Sequence, residues 1–188
     1  MLSIPVYFAT TEGHTRTIAE TIAAVIREEG YESEAIDLAR PQEPPEWLNV
    51  VSAVVCASLH GGKHQRQAVE FAAREARHLN ARPSAFFSVS LSAASRNPAE
   101  VDAAHGLASA FARDAGWHPR RTVCVAGKLA YTQYGLFTRL MMRHIAKREG
   151  GPTDTSRDHD LTDWQAVRAF AQSVAADARE ASGVRVAS

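Results

Sequence analysis

Short apolar runs alternate with amphipathic helical patterns along most of the chain. The runs at residues 4–8, 33–38, 50–57, 84–91 and 122–126 predict five β-strands. Helical spacing of apolar residues predicts α-helices over 15–29, 65–79, 99–115 and from about 162 to 181. Residues 50–57 are apolar almost throughout, which is typical of a strand buried on both faces of a parallel sheet. The alternation predicts a doubly wound α/β domain whose sites lie at the carboxyl ends of the strands.

Two helix ends carry a recognisable signal. Gly30 follows the last apolar positions of the first helix, where a glycine commonly ends a helix. Thr162 precedes Gln165 by three residues, which is the spacing of a capping box, so Thr162 is predicted to cap the last helix.

The connection between the fifth strand and the last helix is unusually long. It has about 35 residues, where such loops commonly have a few. Its middle, residues 135–148, has the spacing of a short helix. Apolar side chains occur at Leu136, Phe137, Leu140, Met141 and Ile145, and basic ones at Arg139, Arg143 and Lys147. Such a helix either packs on the domain with a solvated basic edge, or meets a membrane surface or a large, flat, carboxylated ligand.

Composition and charge narrow the class of protein. A chain of 188 residues with 45% hydrophobic residues and no net charge predicts one folded domain and argues against a uniformly basic nucleic-acid binder. We expect a single domain over 1–181, with an insertion at about 128–161 and a flexible tail at 182–188. Residues 128–148 contain five basic residues and no acid, which favours an anionic partner.

The same composition bears on the compartment. Cys56 and Cys124 each lie inside an apolar run and are expected to be buried free thiols. The sequence shows no membrane span and no signal-peptide pattern, so we expect a cytoplasmic protein that can touch the membrane from that side.

Candidate chemistry begins at Thr10-Thr11-Glu12-Gly13-His14-Thr15, where the first strand turns into the first helix. A phosphate here would receive backbone N–H groups at the positive end of the helix, and hydrogen bonds from three threonine hydroxyls. The segment has neither the Gly-Lys-Ser/Thr ending of a P-loop nor a G-x-G-x-x-G motif. It resembles the flavodoxin phosphate loop, T-x-T-G-x-T, with Glu12 in place of the second Thr. The alternative is a loop whose threonines only cap the helix.

Further segments extend this resemblance from Ile4 to about Val174. They are Ala57-Ser58 with the His/Gly loop that follows, residues 82–89, residues 127–131, and residues 150–155 leading to Thr162-Asp163-Trp164. In these segments the chain resembles the menaquinone-dependent protoporphyrinogen dehydrogenases, a flavodoxin-like family of bacteria. The resemblance implies a flavodoxin-like five-stranded parallel sheet of order 2-1-3-4-5, with a helical insertion between the fifth strand and the last helix.

The resemblance also implies a reaction and its partners. It is the FMN-dependent oxidation of protoporphyrinogen IX to protoporphyrin IX in haem biosynthesis, with electrons passed to menaquinone or ubiquinone. An anionic membrane surface is an expected partner and nucleic acid is not, while a homo-oligomer stays open. Because the macrocycle carries two propionates, Arg139, Arg143 and Lys147 are expected to bind substrate.

In a flavodoxin-like fold, FMN lies against the phosphate loop and the loops after the third, fourth and fifth strands. His60 and His64 flank Gly61-Gly62 and are expected to exchange protons, because imidazole titrates near neutral pH. No metal ligands are expected. The expected cofactor-binding residues are Thr10, Thr11, Glu12, Gly13, His14, Thr15, Ser58, Leu59, His60, Gly61, Gly62, Leu91 and Tyr131.

The sequence departs from the flavodoxin pattern in one respect besides Glu12. Flavodoxins commonly stack Tyr or Trp on the flavin, but residues 58–65 and 91–97 contain no Phe, Tyr or Trp. Tyr131 and Tyr134 would have to substitute, unless they only pack at the base of the insertion.

Three other functions stay open. The first is a flavodoxin-type FMN electron carrier without its own substrate, which the neutral net charge disfavours. The second is an FMN-dependent quinone reductase that uses NAD(P)H. The third is a domain that has lost FMN and serves in protein interactions, which Glu12 and the missing aromatics favour.

Overall fold

The computed structural model of the protein describes residues 1–40, 45–148 and 151–183. Residues 41–44, 149–150 and 184–188 lie outside the described residues, so residue 150 of the resemblance and most of the tail expected at 182–188 are not described. The strands are β1 (Val6–Ala9), β2 (Ala35–Asp37), β3 (Ala53–His60), β4 (Lys63–His64), β5 (Ser84–Ser90), β6 (Arg121–Ala126), β7 (Lys128–Leu129) and β8 (His159–Asp160). The helices are α1 (His14–Glu28), α2 (Arg66–Asn80), α3 (Pro98–Asp114), α4 (Leu136–Arg148) and α5 (Trp164–Ala181).

Five strands form one parallel sheet in the order β2-β1-β3-β5-β6. These are the five predicted strands, and their order in chain numbering is the predicted 2-1-3-4-5. The two-residue strand β4 pairs antiparallel with the end of β3. This pairing extends β3 to His60, three residues beyond its predicted end. Residues 53–57 of β3 are all buried, as a strand covered on both faces requires.

Helices cover both faces of the sheet. Side chains of α1 and α5, including Ile18, Ile22 and Phe170, pack in one core against β1, β3 and β5. On the opposite face Phe71 of α2 and Phe111 of α3 belong to a second core. This is the doubly wound arrangement, in which ligands bind at the carboxyl ends of the strands.

The long connection folds onto those strand ends. Strands β7 and β8 form a separate two-stranded antiparallel sheet, which the sequence analysis did not predict. Leu129, Tyr131 and Ala146 form a small core of their own with partly buried Met142. Helix α4 therefore rests on the domain through Ala146 and Met142, not through its predicted apolar stripe.

Two local predictions need correction. Asp163, not Thr162, is the N-cap of α5, and its carboxylate accepts the Ala166 N–H at 2.9 Å. The Thr162 hydroxyl does not cap α5, because it donates to the Ala126 carbonyl at 2.9 Å. Cys56 is buried as expected, but Cys124 is only half-buried; both are free thiols.

Candidate functional site

The loop between β1 and α1 has the geometry of an anion site. Gly13 is the N-cap of α1 with φ of 84°, a left-handed conformation that favours glycine, and no side chain caps the helix. The Thr10 hydroxyl instead accepts the Gly13 N–H at 3.0 Å. The alternative that the threonines only cap α1 is therefore not supported. The first N–H groups of α1 remain available to an anion.

His14 joins this loop to the insertion. Its Nε2 lies 2.7 Å from Thr162 Oγ1 and 3.5 Å from Asp160 Oδ1. Because the Thr162 hydroxyl gives its proton to Ala126, the Nε2 of His14 must be the donor to Thr162. Burial lowers the pKa of His14, although the nearby Asp160 carboxylate opposes this. The imidazole therefore holds β8 against the phosphate loop.

Glu12 also faces the insertion. Tyr134 donates a long hydrogen bond of 3.4 Å from its hydroxyl to Glu12 Oε2. Burial raises the pKa of Glu12, while the charge of His60 and the Tyr134 bond act in the opposite direction. Burial, followed by the charge of Glu12, raises the pKa of Tyr134 to about 12, so this phenol keeps its proton. The carboxylate that would repel a phosphate thus has a hydrogen-bond partner of its own.

The loop after β3 is a tight hairpin. Leu59 pairs with His64 and His60 with Lys63, so that Gly61 and Gly62 alone form the turn. Their φ values are 56° and 77°. Two consecutive left-handed residues define the type I′ hairpin turn, in which glycine is favoured. Gly61-Gly62 therefore fixes a short backbone edge beside the phosphate loop.

Gln65 connects this hairpin to the phosphate loop and was missed by the sequence analysis. Its side-chain amide donates to Thr11 Oγ1 at 2.7 Å and to Ser58 Oγ at 3.1 Å. Gln65 also precedes α2 as its N-cap. The available signal was an amide side chain, which can both donate and accept hydrogen bonds, between the predicted Gly-Gly loop and the start of α2.

These loops surround a cavity of about 510 Å³ at the carboxyl ends of the strands. This size suits a small-molecule cofactor or substrate. All but two of the predicted cofactor-binding residues line it, the exceptions being Gly13 and Tyr131. Val89 and Ser90 of β5, Gly127 after β6, and Lys128 also contribute. The predicted loops therefore do meet at one site.

Two helices form the walls of the cavity: α4, where the sequence analysis expected substrate-binding cations, and α3, which it did not assign to the site. From α3 come Glu100, Ala103, Ala104 and Leu107, and from α4 come Thr138, Met141, Met142 and Ile145. Apart from Glu100 and Thr138, these side chains are apolar. The cavity is therefore polar at the phosphate loop and apolar between α3 and α4, as a ligand with a phosphate and a flat apolar body would require.

The two candidate proton-transfer residues lie in different surroundings. His60 lines the cavity and is exposed. His64 does not line it. Its ring packs edge-on at 5.2 Å from Phe86 and 5.1 Å from Phe111, and Nε2 lies 2.9 Å from the Ser88 hydroxyl. Burial lowers the pKa of His64 to about 4, so this half-buried imidazole is neutral near pH 7 and packs against the second core.

The two candidate stacking tyrosines also differ in their surroundings. Tyr131 is fully buried, and its hydroxyl donates to the Pro152 carbonyl at 2.9 Å. It packs at the base of the insertion, so the expectation that Tyr131 contacts the cofactor is corrected. Tyr134 lines the cavity.

The predicted substrate-binding cations do not line the cavity. Arg139 donates to the carbonyls of Tyr131 at 2.9 Å and Tyr134 at 3.1 Å, and so fastens α4 to the turn before it. Arg143 and Lys147 are exposed and form no ion pair within the described residues. Lys128 lines the cavity but pairs with Asp158 at 2.8 Å, and this bond is the first cause that lowers the pKa of Asp158 to about 2.

The site and the sheet together define a flavodoxin-type protein. The flavodoxin domain family model matches residues 5–156. Oxidised flavodoxin 1 from Bacillus cereus superimposes with a TM-score of 0.53 at 16% identity, covering 90% of this chain and 95% of that one. A Streptococcus pneumoniae TIGR4 flavodoxin gives 0.56 at 16% identity, with 92% and 97% covered. These structures share the fold.

Sequence relatives are more specific. The chain is 35% identical over 171 residues to a protoporphyrinogen IX dehydrogenase (quinone) of Escherichia coli strain K12, covering 90% of this chain and 93% of the relative. It is 31% identical over 172 residues to the protein of the same name from Leishmania major, with 90% and 73% covered. The chain therefore belongs to the protoporphyrinogen IX dehydrogenase (quinone) family of flavodoxin-like oxidoreductases, and this membership implies a flavin cofactor.

Proposed function

We propose that the chain binds FMN and oxidises protoporphyrinogen IX to protoporphyrin IX, passing the electrons to menaquinone or ubiquinone in a membrane. One observation carries the proposal. The cavity joins an uncapped helix N-terminus to an apolar slot between α3 and α4, on a chain 35% identical to a relative named for this reaction.

The phosphate loop would hold the FMN phosphate. Backbone N–H groups at the start of α1 and the hydroxyls of Thr10, Thr11 and Thr15 are the donors available there. The Gly61-Gly62 turn and Leu91 would border the flavin ring, and Tyr134 is the tyrosine in reach of it. When bound, the flavin supplies the two-electron acceptor for the dehydrogenation.

The chain's own residues would then orient the macrocycle and move protons. Met141, Met142 and Ile145 of α4 face Leu107 of α3 across the cavity, which favours a flat apolar ring and excludes water. His60 is favoured over His64 as the proton acceptor, because it lies at the cavity and is exposed while His64 is enclosed by aromatic rings.

Propionate recognition would fall to cations of α4 that lie outside the lining of the cavity. Arg143 and Lys147 are favoured for this role, because the guanidinium of Arg139 already donates hydrogen bonds to two backbone carbonyls. A charge-based contact of this kind weakens with salt. Quinones reside in the bilayer. Electron transfer to a quinone therefore requires that this cytoplasmic protein contact an anionic membrane surface.

The test supplies protoporphyrinogen IX and a quinone to the FMN-loaded protein under anaerobic conditions and follows porphyrin fluorescence. We expect fluorescence to appear faster than in the enzyme-free blank, with quinone consumed. No acceleration would overturn the proposal and leave the electron-carrier function. Quinone reduction that depends on NAD(P)H, without porphyrin formation, would favour a quinone reductase.

A matched pair of variants tests the slot itself. Ala103→Trp places an indole in the wall that α3 contributes, so we expect porphyrin formation to fall at least tenfold, roughly, while FMN absorbance is retained. Ser109→Trp places the same side chain on an exposed position of α3 away from the cavity and should leave the rate unchanged. Equal rates in both variants would contradict a substrate site between α3 and α4.

A further inference from the structure

Helix α4 exposes large apolar side chains on the side turned away from the domain. Leu136 is 78% exposed, Phe137 83% and Leu140 59%. The helix is held to the domain by Ala146 and Met142 on its opposite side. An exposed apolar patch of this kind, on a helix that is otherwise well anchored, marks a surface that another partner covers.

The same surface is bordered by cations. At 3.6 residues per turn, positions 136, 140, 143 and 147 lie along one stripe of the helix. Arg143 and Lys147 therefore lie on the same side of α4 as Leu136 and Leu140. Both cations are exposed, and neither forms an ion pair in the part of the chain that the structure describes. Residues 128–148 contain no Asp or Glu. The partner should therefore be apolar and negatively charged.

We propose that this docking face, formed by Leu136, Phe137, Leu140, Arg143 and Lys147, inserts into the surface of an anionic lipid bilayer. Helix α4 would lie in the plane of the interface, with the three apolar side chains among the acyl chains and the two cations among the headgroups. The 13 residues of α4 are too few to cross a bilayer, and no helix within the described ranges is long and apolar enough to do so.

A second copy of the chain fits this face less well than a bilayer does. In a two-fold symmetric dimer the same surface meets itself, so the cations of both copies would be brought together, and residues 128–148 supply no acid to pair with them. A layer of anionic headgroups supplies the missing charge for both Arg143 and Lys147.

The docking face adjoins the cavity through the same helix. Met141 and Ile145, each nearly half exposed, lie on the edge of α4 that lines the cavity. Insertion of the docking face would hold the protein at the bilayer in which a lipid-soluble quinone resides. Transfer of electrons to that quinone is the one step here that rests on the proposed function.

The first experiment is flotation of the FMN-loaded protein with vesicles. We expect binding to vesicles of equal parts phosphatidylcholine and phosphatidylglycerol, weakening as salt is raised, and much less binding to phosphatidylcholine alone. The triple variant Leu136→Ser, Phe137→Ser, Leu140→Ser should bind at least tenfold more weakly, roughly, because its apolar contact is lost. Retained FMN absorbance shows that the variant is folded.

Matched controls separate the docking face from general surface effects. Leu48→Ser removes a leucine that is 93% exposed in a loop elsewhere, and should float like the wild type. The double change Arg143→Gln, Lys147→Gln should reduce flotation about tenfold. Arg77→Gln with Arg113→Gln removes two exposed charges from α2 and α3 and should not.

Each adverse outcome has a distinct meaning. Absence of wild-type flotation with the vesicles that contain phosphatidylglycerol, or equal flotation of the triple serine variant, overturns the proposal. Concentration-dependent dimers that only the triple variant loses would assign the face to a second copy instead. If docking is correct, the triple variant loses porphyrin formation with a vesicle-embedded long-chain quinone but keeps it with a water-soluble short-chain quinone. A wild type inactive with both quinones, yet floating as expected, would refute the proposed reaction and leave the docking intact.

Discussion

Glu12 shows how one residue can depart from a loop pattern without removing its function. It stands where the flavodoxin phosphate loop has a hydroxyl, yet its carboxylate accepts a hydrogen bond from Tyr134. The raised pKa of Glu12 follows chiefly from burial. A carboxylate that is part-buried and bonded to the insertion repels a phosphate less than a free one would, but its charge is not removed.

Replacing this carboxylate should therefore strengthen phosphate binding. We expect Glu12→Gln to bind FMN about tenfold more tightly than the wild type at about pH 8, because one negative charge near the phosphate is lost. The difference should narrow towards about pH 5, since the raised pKa lets the wild-type carboxyl take up a proton as pH falls. Flavin fluorescence titration measures the FMN affinity of both proteins at each pH. Glu20→Gln, an exposed change on α1, is the control, and equal affinities for Glu12→Gln and the wild type would show that Glu12 does not face the phosphate.

Burial of His64 lowers the folding stability of the protein at acidic pH. Its pKa is about 4 in the folded protein and 6.5 by default, so between these values the unfolded chain binds more protons than the folded one. Stability due to this group is therefore full above pH 6.5 and is lost as pH falls.

Between about pH 7 and pH 5 the wild type should lose about 2 kcal/mol more unfolding free energy than His64→Gln, whose side chain cannot titrate. Urea denaturation of both proteins at the two pH values gives the difference, in which the other titrating groups cancel. Identical pH dependence would mean that the His64 imidazole is protonated as readily when folded as when unfolded.

At the scale of elements, helix α4 has two functions on two sides. One side, with Arg139, Met142 and Ala146, attaches it to the domain; the other sides border the cavity and solvent. The sequence pattern suggested that all three basic residues share one function. The structure separates them, because only Arg139 reaches the carbonyls of the turn at Tyr131–Gln133 and Tyr134.

Arg139→Met should loosen α4, while Arg143→Met should not. Methionine keeps the apolar stem but loses two charged hydrogen bonds, so we expect α4 to lose about 1.5–3 kcal/mol of local stability. Amide hydrogen exchange of α4 should become faster in Arg139→Met, with the exchange of the central strands unchanged. Equal exchange of α4 in the two variants would contradict the fastening role of Arg139.

At the scale of the whole molecule, the site is assembled from segments far apart in the chain. His14 bonds to Thr162, Tyr134 to Glu12 and Gln65 to Thr11, so the phosphate loop is tied to the insertion and to the β3–β4 hairpin. A ligand held by this loop should therefore stabilise the entire domain and not the loop alone.

FMN at about one hundred times its dissociation constant should stabilise the domain by about 2.7 kcal/mol and raise Tm by roughly 5–10 °C. Riboflavin at the same concentration lacks the phosphate and should give a clearly smaller shift in a thermal denaturation assay. Equal shifts would show that the Thr10 to Thr15 loop does not bind the phosphate, and no shift with FMN would favour a domain that has lost its flavin.

Local sequence patterns predicted the major strands and helices, but not the shortest strands or the exact cap of the last helix. The five strands and the major helices follow from apolar runs and helical spacing, because each pattern reflects which faces are buried. The β7–β8 pair was missed, because two-residue strands carry no periodicity. Thr162 was misplaced as a cap, because a hydroxyl that satisfies a capping-box spacing can bond to a distant carbonyl instead.

The sequence alone determined the class of fold, its strand order through family resemblance, and the phosphate loop, since these depend on burial patterns and on residues close together in the chain. Only the tertiary structure decided which side chains face the cavity. His60 and His64 are four residues apart, yet one lines the site and the other lies among aromatic rings. Tyr131 and Tyr134 divide in the same way. The reason is physical, because the direction of a side chain depends on hairpin pairing and packing between distant segments, which a local pattern does not record.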